Sequence, residues 1–236
     1  MRIELNFLLT SNTIPADYRR GFLSFFKMSF EKYDKKIFDL IYNIGAKKDF
    51  TFAPFFHLDS FHNQTFYLNK KNLKVLMSIE DDLLGLHFYK AFENVISQEH
   101  HFFSNTISLK KVQQIEEKVI NSNSVIFKIL SPIIIREKLN EEKSWYHTLD
   151  SKGIEVLKEN LIHSLNEKFD KKTIQALQIE PINIKKTVVT FYKIKMNATL
   201  GTIKITGDKK LLEYLYKSGL SSSKKSAGFG MLDILS

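Results

Sequence analysis

The chain of 236 residues is long enough for one large domain or two small ones, and 43% hydrophobic with 26% charged content excludes wholesale disorder. A net charge of +9 favours acidic partners, nucleic acid first and an anionic membrane surface second. The lack of cysteine excludes disulfides, thiolate metal sites and a cysteine nucleophile, and fits a cytoplasmic protein. No apolar run reaches the roughly 18 residues of a membrane span, and Met1-Arg2-Ile3-Glu4-Leu5 has no secretory pattern, so no membrane association is expected.

Arg2 to Leu9 alternates, with Ile3, Leu5, Phe7 and Leu9 on one face, which predicts a strand. Pro15 suits the first turn of a helix carrying Tyr18, Phe22, Phe25 and Phe26 at helical spacing. A second helical stretch holds Ile37, Leu40 and Ile41 and ends at Gly45. Asp49 to Phe56 reads as a strand, followed by a hairpin of Thr65 to Leu68 and Leu73 to Ile79 about Asn69-Lys-Lys-Asn72. Ser78 with Asp81 marks the start of a helix that runs to about Val95, and Phe102 to Val112 is extended again.

The second half repeats this order. Val125 to Glu137 is β-rich with an interruption at Pro132, and Asp150 or Ser151 caps a helix faced by Ile154, Leu157, Leu161, Leu165 and Phe169. Lys185 to Lys195 and Thr199 to Thr206 read as paired strands. A short helix with Leu211, Leu212 and Leu215 precedes a last strand, Met231 to Leu235. The fold class expected is α+β: two tandem ferredoxin-like domains of order β-α-β-β-α-β, residues 1–122 and 123–236, divided near Asn121-Ser-Asn-Ser124.

Between that short helix and the last strand lies Gly219-Leu-Ser-Ser-Ser-Lys-Lys-Ser-Ala-Gly-Phe-Gly230. Glycine and serine let the backbone approach a partner closely, and successive N–H groups, hydroxyls and Lys224-Lys225 favour an anion, most simply a phosphate. The competing reading is a flexible connector to the final strand.

This segment, Lys225-Ser226-Ala227-Gly228-Phe229-Gly230-Met231 above all, resembles the glycine-rich C-terminal signature of the CRISPR-associated endoribonucleases that cut precursor CRISPR RNA within its repeats, members of the RAMP superfamily. Tyr18-Arg19-Arg20, Phe50-Thr51-Phe52, Ser131-Pro132 before Ile133-Ile-Ile-Arg136, and Asn160-Leu161 agree in order along the chain. The resemblance implies a ribonuclease independent of metal and cofactor. A 2′-hydroxyl attacks the adjacent phosphate, leaving a 2′,3′-cyclic phosphate and a 5′-hydroxyl. It implies CRISPR repeat RNA as partner, with effector subunits or a second copy of the chain as further ones. A non-cleaving RNA-binding subunit of an RNA-guided complex is the alternative.

Such a reaction needs a proton acceptor, a proton donor and a cation or N–H cluster for the transition state. Many members of the family carry a histidine at the end of the first helix; this chain has Tyr42 about there, and no histidine before His57. His57 and His62 then become the nearest candidate imidazoles, with His62 favoured as the freer loop position; the competing reading is two exposed loop histidines. Tyr42 and Lys47 are the remaining catalytic candidates. For RNA binding the candidates are Arg19, Lys48, Arg136, Lys185, Lys224, Lys225, Ser226, Gly228, Phe229 and Gly230. His100-His101 read as surface residues, and the scattered histidines offer no metal site.

Overall fold

A computed structural model describes residues 1–42, 48–141, 143–221 and 223–235. The first half runs β1 (Arg2–Leu9), β2 (Thr13–Pro15), α1 (Arg19–Tyr33), α2 (Lys35–Tyr42), β3 (Phe50–Phe55), β4 (Leu58–His62), β5 (Thr65–Leu68), β6 (Asn72–Ile79), α3 (Asp82–Glu93), β7 (Glu99–Phe102) and β8 (Asn105–Ile115). Its main sheet has the order β3-β6-β1-β8-β7, antiparallel throughout. The second half runs β9 (Ser124–Ile133), β10 (Ile135–Lys138), β11 (Ser144–His147), α4 (Ser151–Leu165), α5 (Lys171–Gln175), β12 (Gln178–Phe191), β13 (Ile194–Thr206), α6 (Lys209–Ser218), a 3-10 turn at Lys225–Ala227 and β14 (Leu232–Ile234). Its sheet is β12-β13-β9-β14. Leaving out the edge strand β7, both sheets share one order: second, third, first, fourth strand. The chain is therefore α+β, two tandem ferredoxin-like folds.

The phenylalanines account for the first half. Phe22, Phe25, Phe26 and Phe30 recur along α1 and are fully buried with Phe7, Phe52, Phe88, Phe92 and Phe102. Each such ring contributes roughly 1.5–3 kcal/mol through burial, and their edge contacts fix the helix over the sheet, as in Phe26–Phe52 at 5.1 Å and 82°. The helix stops at Asp34, which is extended at φ −160°, and whose carboxylate accepts the Lys36 and Ile37 amides to start α2. The second core is mainly aliphatic: Val125, Ile129, Leu157, Leu161, Ile203, Ile205, Leu211 and Leu215. A third, smaller cluster joins the halves, with Val189, Phe191, Ala227 and Phe229 packed against Leu23 of α1.

Several sequence expectations change. Pro15 ends β2, and α1 begins at Arg19, behind Tyr18. β5 and β6 do not form a hairpin together: β5 pairs with β4 and β2 in a separate three-stranded sheet, while β6 sits between β1 and β3. The expected loop from His57 to His62 is mostly β4, and Asn63-Gln64, both at positive φ, make the tight turn into β5. His100 and His101 lie on β7 rather than before a strand. Pro132 stays within β9, whose break falls at Ile134. The end of the second helical stretch, Gly45, lies outside the described residues.

Candidate nucleic-acid site

The glycine-rich segment is clasped rather than open. The Arg19 side chain, 4% exposed, donates from Nε to the Gly228 carbonyl at 3.1 Å and lies 4.5 Å over the Phe229 ring. Thr51 Oγ1 on β3 donates to the Phe229 carbonyl at 2.9 Å. From β9, the Pro132 carbonyl accepts the Gly230 amide and Ser131 Oγ accepts the Met231 amide. The amides of Ala227, Gly228 and Phe229 are used by the Lys224 and Lys225 carbonyls. Gly228 at φ +86° has no room for a Cβ, which would stand 2.7 Å from Phe52, and Gly230 at φ +76° would drive one into the Leu220 carbonyl. The amides from Ala227 to Met231 are spent internally, so the expectation of a row of free N–H groups for a phosphate is corrected here. Phe229 is fully buried, and it, Gly228 and Gly230 act as packing residues between the two sheets. Three stretches read beside this signature in the sequence, around Arg19, Thr51 and Ser131-Pro132, are the clasp itself.

Lys225 belongs to the same joint. Its ammonium lies 3.7 Å from Asp49, whose carboxylate also accepts Tyr214 OH at 2.8 Å and Lys168 Nζ at 2.9 Å. Burial pushes the Asp49 carboxyl up, but Lys168, Lys225 and Tyr214 outweigh it and hold the group below its ordinary range. Burial pulls the Lys225 ammonium down despite Asp49. Lys224, left-handed at φ +61°, turns the other way. Its ammonium sits 5.1 Å over Phe191, and its pKa is lowered by burial and by the neighbouring Arg136. Two predicted RNA-binding cations, one from the glycine-rich segment and one from β10, therefore come together. Lys185 does not join them; it lies exposed on β12, six residues before the strand's end.

A cleft of about 550 Å³ opens beside the clasp, between α1, the end of α2, the start of β3, the β7–β8 turn and the tip of the β12–β13 hairpin. Arg20, Lys27, Tyr42, Lys48, His101 and Ser226 line it. Tyr42 stacks on Phe38 at 4.9 Å, and burial, then Glu31, raises its phenol pKa, so it is a protonated donor and not a base. Lys48 Nζ rests 4.7 Å from the Tyr42 ring, and burial lowers its pKa. No carboxylate lies among the described lining residues, and although Asp17 pairs with Arg20 and Glu31 stands near Tyr42, the cations Arg20, Lys27 and Lys48 leave the cleft net positive. Lys47 lies outside the described residues.

His57 and His62 stand elsewhere. His57 lines a separate cleft with Phe55, Lys71 and Lys74, beyond the far end of β3, and His62 closes β4 opposite Thr65. β3 spans on the order of 17 Å, so neither imidazole reaches Lys48. The cleft's own imidazole, His101, escaped sequence reasoning because it looked like a surface pair with His100. The strand alternation turns them differently: His101 lines the cleft, while His100 lies against Phe25 and reaches Ser24 at the cleft's edge. Arg19 and Arg20 divide in the same way, the first to the clasp and the second to the cleft. Among the described residues no three His, Asp or Glu side chains gather as a metal set, and no helix is long and apolar enough to cross a membrane.

The family model described as CRISPR associated protein Cas6, C-terminal, matches residues 115–234. No curated protein matches the chain. Among solved structures, that of a Cas6-related gene from Pyrococcus furiosus superposes with a TM-score of 0.84 at 21% identity, covering 100% of this chain and 98% of that one. A RAMP protein described as binding different RNA substrates gives 0.82 at 18% identity, with 100% of both chains covered. A Cas6 product complex gives 0.72 at 14%, with 99% of each covered. These identities speak for the fold, along its whole length. With the family model spanning half of the sequence and ending on the clasped glycine-rich segment, the chain belongs to the Cas6 family of CRISPR-associated proteins.

Proposed function

We propose that this protein binds the repeat of precursor CRISPR RNA and cuts it without a metal, leaving a 2′,3′-cyclic phosphate and a 5′-hydroxyl. The observation that carries the reading is the cleft, whose described lining gathers Lys27, Tyr42, Lys48, His101 and Ser226. His101 is the one imidazole among the described lining residues, and its ring nitrogen suits the 2′-hydroxyl proton. Lys48, its ammonium made a better acid by burial, suits both the charge of the transition state and the proton for the leaving 5′-oxygen. Tyr42, held protonated, donates to a phosphate oxygen. The division of labour leaves the glycine-rich segment as the wall of the site, with Ser226 and Lys224 as its accessible groups.

The test is single-turnover cleavage of repeat RNA in excess chelator. One cut with a cyclic phosphate end supports the reading; strict dependence on added Mg²⁺ or Mn²⁺ sinks it. The second reading, a non-cleaving RNA-binding subunit, is favoured by the phenol at the end of α2, which cannot take a proton near neutrality. Tight binding of the repeat with no cut in any condition would establish it.

A further inference from the structure

We infer that Tyr192 and Arg20 form a base-stacking platform at the mouth of the cleft, which requires the nucleotide beside the scissile phosphate to be unpaired. The inference rests on the reading that this cleft takes RNA.

Tyr192 sits where a large side chain costs energy. It and Lys193 form the two-residue tip of the β12–β13 hairpin, at φ +49° and +64°. Turns of this kind prefer Asn, Asp or Gly, because other side chains are strained at positive φ. Backbone strain of this sort collects at functional positions. The tip is held in place from the other domain: Asp17 accepts the Tyr192 amide at 3.2 Å and also accepts Arg20 NH1 at 3.2 Å. Arg20 in turn lays its guanidinium 4.7 Å from the Tyr192 ring centre. Phe191 meets the ring edge-on at 4.7 Å and 89°. One face of the ring is thus supported, yet the residue remains 57% exposed. A buried packing role would not leave it so, and a solvated turn would not need the two ties to Asp17 and Arg20.

The surroundings choose the ligand. Tyr192 shares the cleft with Lys27, Lys48 and His101. A flat π-surface beside clustered cations fits one nucleotide, its base on the ring and its phosphate towards the lysines. Stacking serves every base, so the platform reads no sequence. It excludes a base already stacked within a duplex, which gives the cleft a preference for single-stranded RNA at the cut.

The experiment uses repeat RNA carrying 2-aminopurine at single positions around the cut, with wild-type protein and the variants Tyr192→Asn and Tyr192→Phe. Asn suits the left-handed turn, so Tyr192→Asn keeps or raises thermal stability while removing the ring. Wild type and Tyr192→Phe should quench the fluorophore at one position beside the cut. Tyr192→Asn should lose that quench and bind roughly five- to 150-fold more weakly. Pairing the same nucleotide with a complementary strand should slow wild-type cutting and leave little further effect of Tyr192→Asn. Equal binding, quench and cutting by Tyr192→Asn and wild type would overturn the platform while leaving the functional reading intact. Failure of the wild type to bind repeat RNA at all would overturn both.

Discussion

β3 joins two regions that the sequence makes look equally suited to chemistry. Before its start come a tyrosine and a lysine pair; beyond its end come two histidines about an aspartate. In the structure they part company. The start of β3 faces helices, a glycine-rich segment from the other domain and a hairpin tip, and these converge into a cationic cleft. The far end carries a small sheet of its own, β2-β5-β4, whose hairpin projects exposed side chains such as Phe61 and His62. A site needs walls from several elements; the second domain also meets the far end, where Pro54, Phe61 and Phe66 share a cleft with Ser131, Pro132 and Val188, but Lys27, Lys48 and His101 gather only at the start of β3.

The largest effect that would break this comparison is catalytic. His101→Ala and Lys48→Ala are each expected to slow single-turnover cleavage by ~10²–10⁴-fold, whereas His57→Ala and His62→Ala leave it unchanged. The reverse pattern would move the site to the far end. Next in size is the division between neighbouring arginines. Arg19→Ala removes a buried donor and a cation–π contact from the clasp and should cost about 2–3 kcal/mol in urea unfolding. Arg20→Ala should stay within about 0.5 kcal/mol and instead weaken RNA binding in a filter assay.

A third effect sharpens the role of the joint. Asp49 has a folded pKa held below its unfolded value, so its contribution to stability is complete above about pH 4 and is lost as pH falls through the lowered folded pKa. Asp49→Asn should therefore destabilise by on the order of 1–3 kcal/mol at neutral pH, with the gap to wild type closing as the solution is acidified. A gap that is constant with pH would mean that Asp49 acts through shape alone. The smallest effect belongs to the segment's half-buried cation, Lys224. Lys224→Ala should reduce the slope of log affinity against log salt by about one phosphate contact without changing thermal stability, while Lys225→Ala should lower stability as well. Matching stability losses for both would put Lys224 in the joint too.

Much of the fold was legible because its signals are local. The alternation of β1, the spacing of Phe22, Phe25 and Phe26 on α1 and the Asp caps of α3 and α4 each lie within a few residues, and each forms as expected. Strand partners were not local. Thr65 to Leu68 and Leu73 to Ile79 look like a hairpin, yet Leu68 pairs with Leu58 of β4 and donates its amide to the Asn12 carbonyl. The glycine-rich segment was recognisable by composition, but its role depended on who receives its amides. Pro132 and Ser131 lie roughly a hundred residues earlier, so the sequence could not distinguish a cradle for phosphate from a clasp between domains. The cleft was half legible: Tyr42 and Lys48 were named, but His101 and Tyr192 depend on which way a strand residue faces and where a hairpin tip lands.

The most direct test of the central claim is photo-cross-linking. Repeat RNA carrying 4-thiouridine next to the cut, with a 2′-deoxy substitution to prevent cleavage, is irradiated with the protein and the attached peptide identified by mass spectrometry. The account predicts attachment within the cleft, to the peptides bearing Lys48, His101 or Tyr192. Attachment to the hairpin between His57 and Tyr67 would contradict it.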